Sequence, residues 1–243
     1  MKNIYRASLL GCIAAAVLLN IGCATKPPFP EVLAPEVGSG IKSVSIAKDV
    51  RFPAVFSVPR GGGGILGMTI QIQEERYFNA TVRGKVDLDG ILADKLRKGL
   101  AQKLQTAPFR PGLDLVEGKP GEAEFVLVVD QYGLTFPSFT GIQKPHMKAT
   151  ALLVKNPPYT LVRDPKHGNW LEPEDLTRNP ILWMKTVEAV KPDAAKGESS
   201  PSVAEYRNDP QMLINHLDPV VSQVLDDLLR AMKGQTPGDN VGK

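Results

Sequence analysis

Two cysteines, three histidines and two tryptophans are all that the 243 residues contain, and aromatic residues of every kind amount to 6%. Each scarcity closes a class of function. Cys12 lies inside the N-terminal apolar run Ala7 to Leu19, so a chain cut after that run keeps one thiol, Cys23, and can close no internal disulfide. His146, His167 and His216 have no second ligand of metal type at helical spacing, Asp164 before His167 being the nearest approach. No metal site is expected. There is no Gly-x-Ser-x-Gly elbow and no Gly-Lys-Ser or Gly-Lys-Thr, which removes the usual serine nucleophile and the phosphate-binding P-loop. The adjacent acids Glu74-Glu75 and Asp226-Asp227 cannot face each other on a helix and read as solvated. No enzyme is announced.

Long apolar runs are also missing. A run of this length after Lys2 and Arg6 is too short to span a bilayer, which takes about 20 residues. It has instead the three-part plan of a secretory signal peptide, with a basic start, an apolar middle and small residues before the cut. The junction Leu19-Asn20-Ile21-Gly22-Cys23 resembles the lipobox of bacterial lipoproteins, although Asn20 stands where an aliphatic residue is preferred. Leu9-Leu10-Gly11-Cys12 fits that box better locally but leaves too short an apolar stretch ahead of it. The resemblance implies cleavage before Cys23, acylation of its thiol, and membrane attachment through the N-terminal lipid. Ala24, rather than Asp, after the cysteine is compatible with sorting to the outer membrane, on its periplasmic face.

Loss of residues 1–22 removes two cations and lowers the net charge from +3 to +1. No basic cluster interleaved with aromatics remains, so nucleic acid is not an expected partner. Residues 23–40 hold four prolines at 27, 28, 30 and 35 and read as the lipidated cysteine and an extended tether. Residues 41–234 form a single domain, and residues 235–243 a flexible tail.

Within the domain, IKSVSIA (41–47), AEFVLVVDQYGL (123–134), HMKATALLV (146–154) and ILWMKTVEAV (181–190) read as strands. Tyr159 to Val162 could extend the pairing, and residues 191–202 look like a mobile loop. Two helices are expected. One starts at Asp89 as cap and carries Leu92, Leu96, Leu100 and Leu104 on one face before Pro108. The other starts at Asp209-Pro210 and ends at Gly234, with Pro219 leaving open a kink or two consecutive pieces. Residues 48–88 stay undecided, since Ile65, Met68 and Ile72 fit a helix face while Met68, Ile70 and Ile72 also alternate. Two amphipathic helices and strands that can be antiparallel neighbours imply an α+β two-layer sandwich, with both helices on one face of a small, mainly antiparallel sheet.

Gly62, Gly64 and Gly67 in PRGGGGILGMT (59–69) match the G-x-G-x-x-G spacing of dinucleotide sites. That fingerprint requires a buried strand before the glycines, a helix after them and a parallel sheet behind. None of these is legible here, and no cofactor is expected. The glycines read instead as a loop with an apolar tip, Ile65, Leu66 and Met68, usable for docking. Trp183 reads as core and Trp170, in a polar loop, as a residue free to stack on a sugar or a partner.

Lipobox, proline tether, IKSVSIA, the glycine-rich stretch, ILADKLRKGLAQKL, AEFVLVVDQYGL, ILWMKTVEAV and a closing amphipathic helix together resemble a broad group of small envelope lipoproteins. That group includes the auxiliary lipoproteins of ABC-type lipid transport and the lipoprotein partner of the lipopolysaccharide-assembly barrel. The resemblance implies helices against a sheet and action by binding an envelope partner, but it contains no diagnostic motif and carries over no functional residue except Cys23. A non-enzymatic accessory or scaffold is the function expected, and a lipid- or glycan-binding module is the alternative.

Overall fold

The computed structural model describes residues 32–59, 65–135, 143–155, 161–164, 168–171, 181–192 and 201–235; Cys23 and the C-terminal tail lie outside them. The described chain begins inside the proline-rich stretch, and it is packed from the start. Helix α1 (Pro35–Gly40) opens on a proline at its first position, where the missing N–H costs nothing. Leu33, just ahead of it, is buried.

Five strands make the main sheet, in the order β2–β1–β3–β4–β7: β1 (Ser43–Ile46), β2 (Asp114–Leu115), β3 (Ala123–Leu134), β4 (Pro145–Lys155) and β7 (Ile181–Val190). β1 runs parallel to both β2 and β3, while β3, β4 and β7 alternate in direction. The sheet is therefore mixed, and the expectation of a mainly antiparallel one is corrected. The cause is that β1 comes from far up the chain and enters between β2 and β3, which a hydrophobic pattern cannot foretell. Strands β5 (Leu161–Asp164) and β6 (Gly168–Leu171) pair only with each other, as a separate hairpin. Residues 161 and 162 thus do not extend the main sheet.

Four further helices complete the inventory of the described residues. Helix α2 (Ile65–Arg83) follows the glycines. Helix α3 (Leu88–Thr106) is capped by Asp87, whose carboxylate accepts from the Gly90 N–H. The expected cap, Asp89, is one turn position too late, because its carboxylate is engaged elsewhere. Short α4 (Val203–Asn208), unforeseen, starts with a capping box of Ser202 and Glu205, which satisfies two otherwise orphaned donors. Helix α5 (Pro210–Met232) begins where Asp209-Pro210 indicated and runs through Pro219 as one helix.

Leu88, Leu92, Leu96, Leu100 and Leu104 of α3 are at most 2% exposed, and burying each is worth about 1.5–3 kcal/mol relative to leaving it in water. They meet Leu217, Val221, Val224, Leu225 and Leu228 of α5 and the alternate residues Phe125, Leu127 and Val129 of β3 and Ala149, Ala151 and Leu153 of β4 in one cluster. Trp183 joins that core, fully buried. Lys95 binds Asp218 and Lys103 binds Asp226, each at 2.6 Å. Both pairs show the same offset along the two helices, so α3 and α5 run parallel. Midway between them Gly99 lets the helices close up, since a Cβ there would lie 2.6 Å from a Leu225 methyl.

The opposite face of the sheet is not simply solvated. Val126, Val128, Leu152 and Val154 are buried there as a second apolar cluster, with Ala47, Ile181 and Met184 against it. A plain two-layer sandwich leaves that face bare. What the structure supports is an α+β fold around a mixed sheet with apolar clusters on both faces.

Candidate functional site

Those residues singled out from sequence that the structure describes fall on two different elements. Cys23 lies outside the described residues. Ile65, Leu66 and Met68 do not form a loop tip, because they are the first turn of α2. Helical spacing prevails over alternation here, in a segment free of proline for 19 residues and rich in helix formers from Gln71 to Arg76. Trp170 lies in β6, opposite Val162, and not in a polar loop. A helix does follow the glycines, which decides for Ile65–Arg83 what the sequence left open. Ahead of them, however, the chain makes only the isolated bridges Arg51 to Val128 and Ser57 to Gly133, and the mixed sheet is not the parallel frame of a dinucleotide fold.

The segment leading into the glycines is fixed by α2. Asn79 pairs its amide with the backbone of Phe56 in both directions: the Phe56 N–H donates to Oδ1 at 2.8 Å, and Nδ2 donates to the Phe56 carbonyl at 2.8 Å. A side chain thus does the work of a neighbouring strand. The Phe56 ring stacks on Phe78 at 5.1 Å and meets Tyr132 edge-on at 5.2 Å. Glu75 accepts from the Val58 N–H, so this acid is bonded and not merely solvated. Asp226, paired with Lys103, departs from the solvated reading in the same way.

Where α2 gives way to α3, the Tyr132 hydroxyl donates to Asp89 Oδ1 at 2.5 Å, and Arg83 donates to both Tyr132 and Asp89 Oδ2. Burial, followed by the hydrogen bond to Asp89, raises the Tyr132 pKa well above that of a free phenol. The hydroxyl is therefore a permanent donor locking two helices to β3, and not a proton-transfer group near neutral pH.

A different place offers room for a ligand. The chain from Val116 to Glu122 crosses from one side of β1 to the other, tied by the Val116 N–H to the Val44 carbonyl and the Glu122 N–H to the Ser43 carbonyl. Gly121 makes the crossing possible, because a Cβ there would sit 2.7 Å from the Val44 backbone. Between this crossing and α3 lies a cleft of about 740 Å³, within the size range of small-molecule sites. Its cations are Lys48 after β1, Arg97 and Lys98 on α3, and Lys119 in the crossing. Its carboxylates are Glu117 and Glu124, the latter accepting from the Ser45 hydroxyl at 3.3 Å. Lys98 is paired with Asp94 on its own helix. Among the described residues no acid pairs with Lys48, Arg97 or Lys119. The sequence reading missed this cleft, whose members come from three distant stretches and make no local motif.

His146, near the start of β4, is buried, and its Nδ1 has no hydrogen-bond partner among the described residues. Desolvation lowers its pKa, opposed by nearby Glu188 and by a hydrogen bond with the Gly133 backbone. Among the described residues no group of three or more potential metal ligands converges, and no helix is long and apolar enough to cross a membrane.

No family model matches the chain, and no curated protein matches it in sequence. Solved structures do align with it over most of its length. Protein XCC0632 from Xanthomonas campestris, of family DUF330, aligns with a TM-score of 0.39 and 8% identity over 85% of this chain and 89% of its own. The hypothetical protein CT253 from Chlamydia trachomatis aligns with a TM-score of 0.37 and 8% identity over 80% of this chain and 94% of its own. Likeness at that level transfers no activity and no residue role.

Proposed function

We propose that the chain is an outer-membrane-anchored periplasmic lipoprotein that serves as a non-enzymatic accessory or scaffold in a cell-envelope complex, held by acylated Cys23. The observation that carries the scaffold reading is the closed interface between helices and sheet, whose leucines and valines are at most a few per cent exposed. A protein filled this way meets its partners from outside. The buried position of Leu33 fits the anchor as well: ten residues separate it from Cys23, and at about 3.1 Å per extended residue they hold the domain within roughly 30 Å of the bilayer. The second reading, a lipid- or glycan-binding module, is favoured by one feature only, the cleft beside α3.

Mass spectrometry of the N-terminal peptide, with membrane fractionation of wild type and Cys23→Ser, tests the proposal. The expected result is an acylated Cys23 whose loss moves the protein to the soluble fraction. An unmodified N-terminus at another residue refutes the anchor. Crosslinking in intact cells should then join the wild-type protein to envelope proteins, and a chain that stays uncrosslinked at every surface position refutes the scaffold.

A further inference from the structure

Three cations with no acidic partner among the described residues line the cleft: Lys48, Arg97 and Lys119. They come from three segments that only the fold brings together. Arg97 is half-buried, and taking a guanidinium partly out of water without a counter-charge is unfavourable unless a ligand supplies one. Arginine with lysines around it suits a doubly charged group with several oxygens better than a single carboxylate. The cleft is also far larger than a bare ion requires, and Ile46, Ala101, Leu115 and Val116 give it an apolar part. Glu117 and Glu124 stand in the same lining and repel a continuous polyanion, and no aromatic ring is present there for base stacking.

We infer that the cleft between α3 and the crossing segment 116–122 binds a phosphate ester with a short apolar stem, the phosphate on Arg97, Lys48 and Lys119 and the stem against Ile46 and Leu115. The inference does not depend on the lipid anchor. Such a group can belong to a membrane headgroup or to a free metabolite, and the experiment distinguishes these sources.

The full chain carrying Cys23→Ser, so that no anchor holds it to lipid, is titrated with butyl phosphate and with inorganic phosphate while ³¹P linewidths are followed. Butyl phosphate should bind saturably and several-fold more tightly than inorganic phosphate. Arg97→Gln, and separately the double change Lys48→Gln with Lys119→Gln, should each weaken it by about tenfold or more, the loss expected for a charge-assisted contact. Lys233→Gln, at the end of α5, should change nothing. Because Lys48 and Lys119 are exposed, their replacement keeps the fold intact, which a circular-dichroism melt verifies. Flotation with vesicles of phosphatidic acid in phosphatidylcholine, whose headgroup is a phosphate monoester like the probe, identifies the source. Vesicle binding displaced by butyl phosphate means headgroups occupy the cleft; no vesicle binding, with butyl phosphate still bound, means a free ester does. Absence of saturable binding, equal affinity for inorganic phosphate, or indifference to the cleft substitutions overturns the inference.

Discussion

Replacing Asn79 with alanine should cost more stability than any other single polar substitution among the described residues. The Asn79 side chain is 8% exposed, and its amide satisfies both backbone groups of Phe56 as well as donating to the Glu75 carbonyl at 2.8 Å. Alanine leaves the Phe56 N–H and C=O without partners in a buried place. Each orphaned group costs about 1–3 kcal/mol, so the sum is roughly 2–6 kcal/mol, a large part of the stability of an ordinary domain. Aspartate sharpens the test, because it keeps the acceptor for the Phe56 N–H and loses both donations. At neutral pH its charge would face the carbonyls of Phe56 and Glu75, and Asn79→Asp should be at least as damaging as alanine. Protonation restores one donor, so the damage should lessen as pH falls towards 4, near the ordinary carboxyl pKa. Urea unfolding followed by circular dichroism, with the slope checked for constancy, gives the numbers. A loss below about 1 kcal/mol for Asn79→Ala, or an aspartate variant that worsens on acidification relative to wild type, would show that α2 does not hold the segment leading into the glycines.

Two further predictions concern places where backbone or burial leaves little freedom. Gly121→Ala puts a methyl 2.7 Å from the Val44 backbone, and backbone cannot step aside as a side-chain tip can; a destabilisation of about 1–3 kcal/mol should show in urea melts and should weaken butyl phosphate binding too. His146 has a lowered pKa in the folded protein, caused first by desolvation, so folding releases its proton. Its contribution to stability is therefore complete above the unfolded pKa of about 6.5 and is lost as pH falls from there towards the folded value. The urea midpoint should drop between neutral pH and mild acid, and His146→Gln should flatten that slope; an unchanged slope assigns it to other groups.

How far the sequence reveals the fold depends on the range over which each signal acts. Strands β3 and β7 end at the residues their patterns indicate, because each run of strand formers is bracketed by turn residues, Pro120-Gly121 and Pro137 for β3, Pro180 and Pro192 for β7. Asp209-Pro210 marks the start of α5 by chemistry confined to two residues. By contrast, α2 is ambiguous in its own sequence, and its buried face, with Phe78, Asn79 and Val82, is settled by a strand-like segment 23 residues earlier. On paper Asp89 is a plausible cap. Only Tyr132 and Arg83, which engage Asp89, decide that Asp87 takes the position. The candidate cleft was illegible for a related reason, since Lys48, Arg97 and Lys119 are ordinary surface cations until β1, α3 and the crossing segment are set side by side.

The place of β1 also constrains the order in which the molecule can be made. Its partners, Asp114–Leu115 on one side and Ala123–Phe125 on the other, are synthesised about 70 residues later, and the segment joining them passes directly over it. A growing chain that stops short of Phe125 therefore holds an inner strand with no slot to enter. Such long-range closure slows folding, and it favours a chain that remains open until its first half, through Phe125, has emerged. For a chain exported as proposed above, that delay is an advantage.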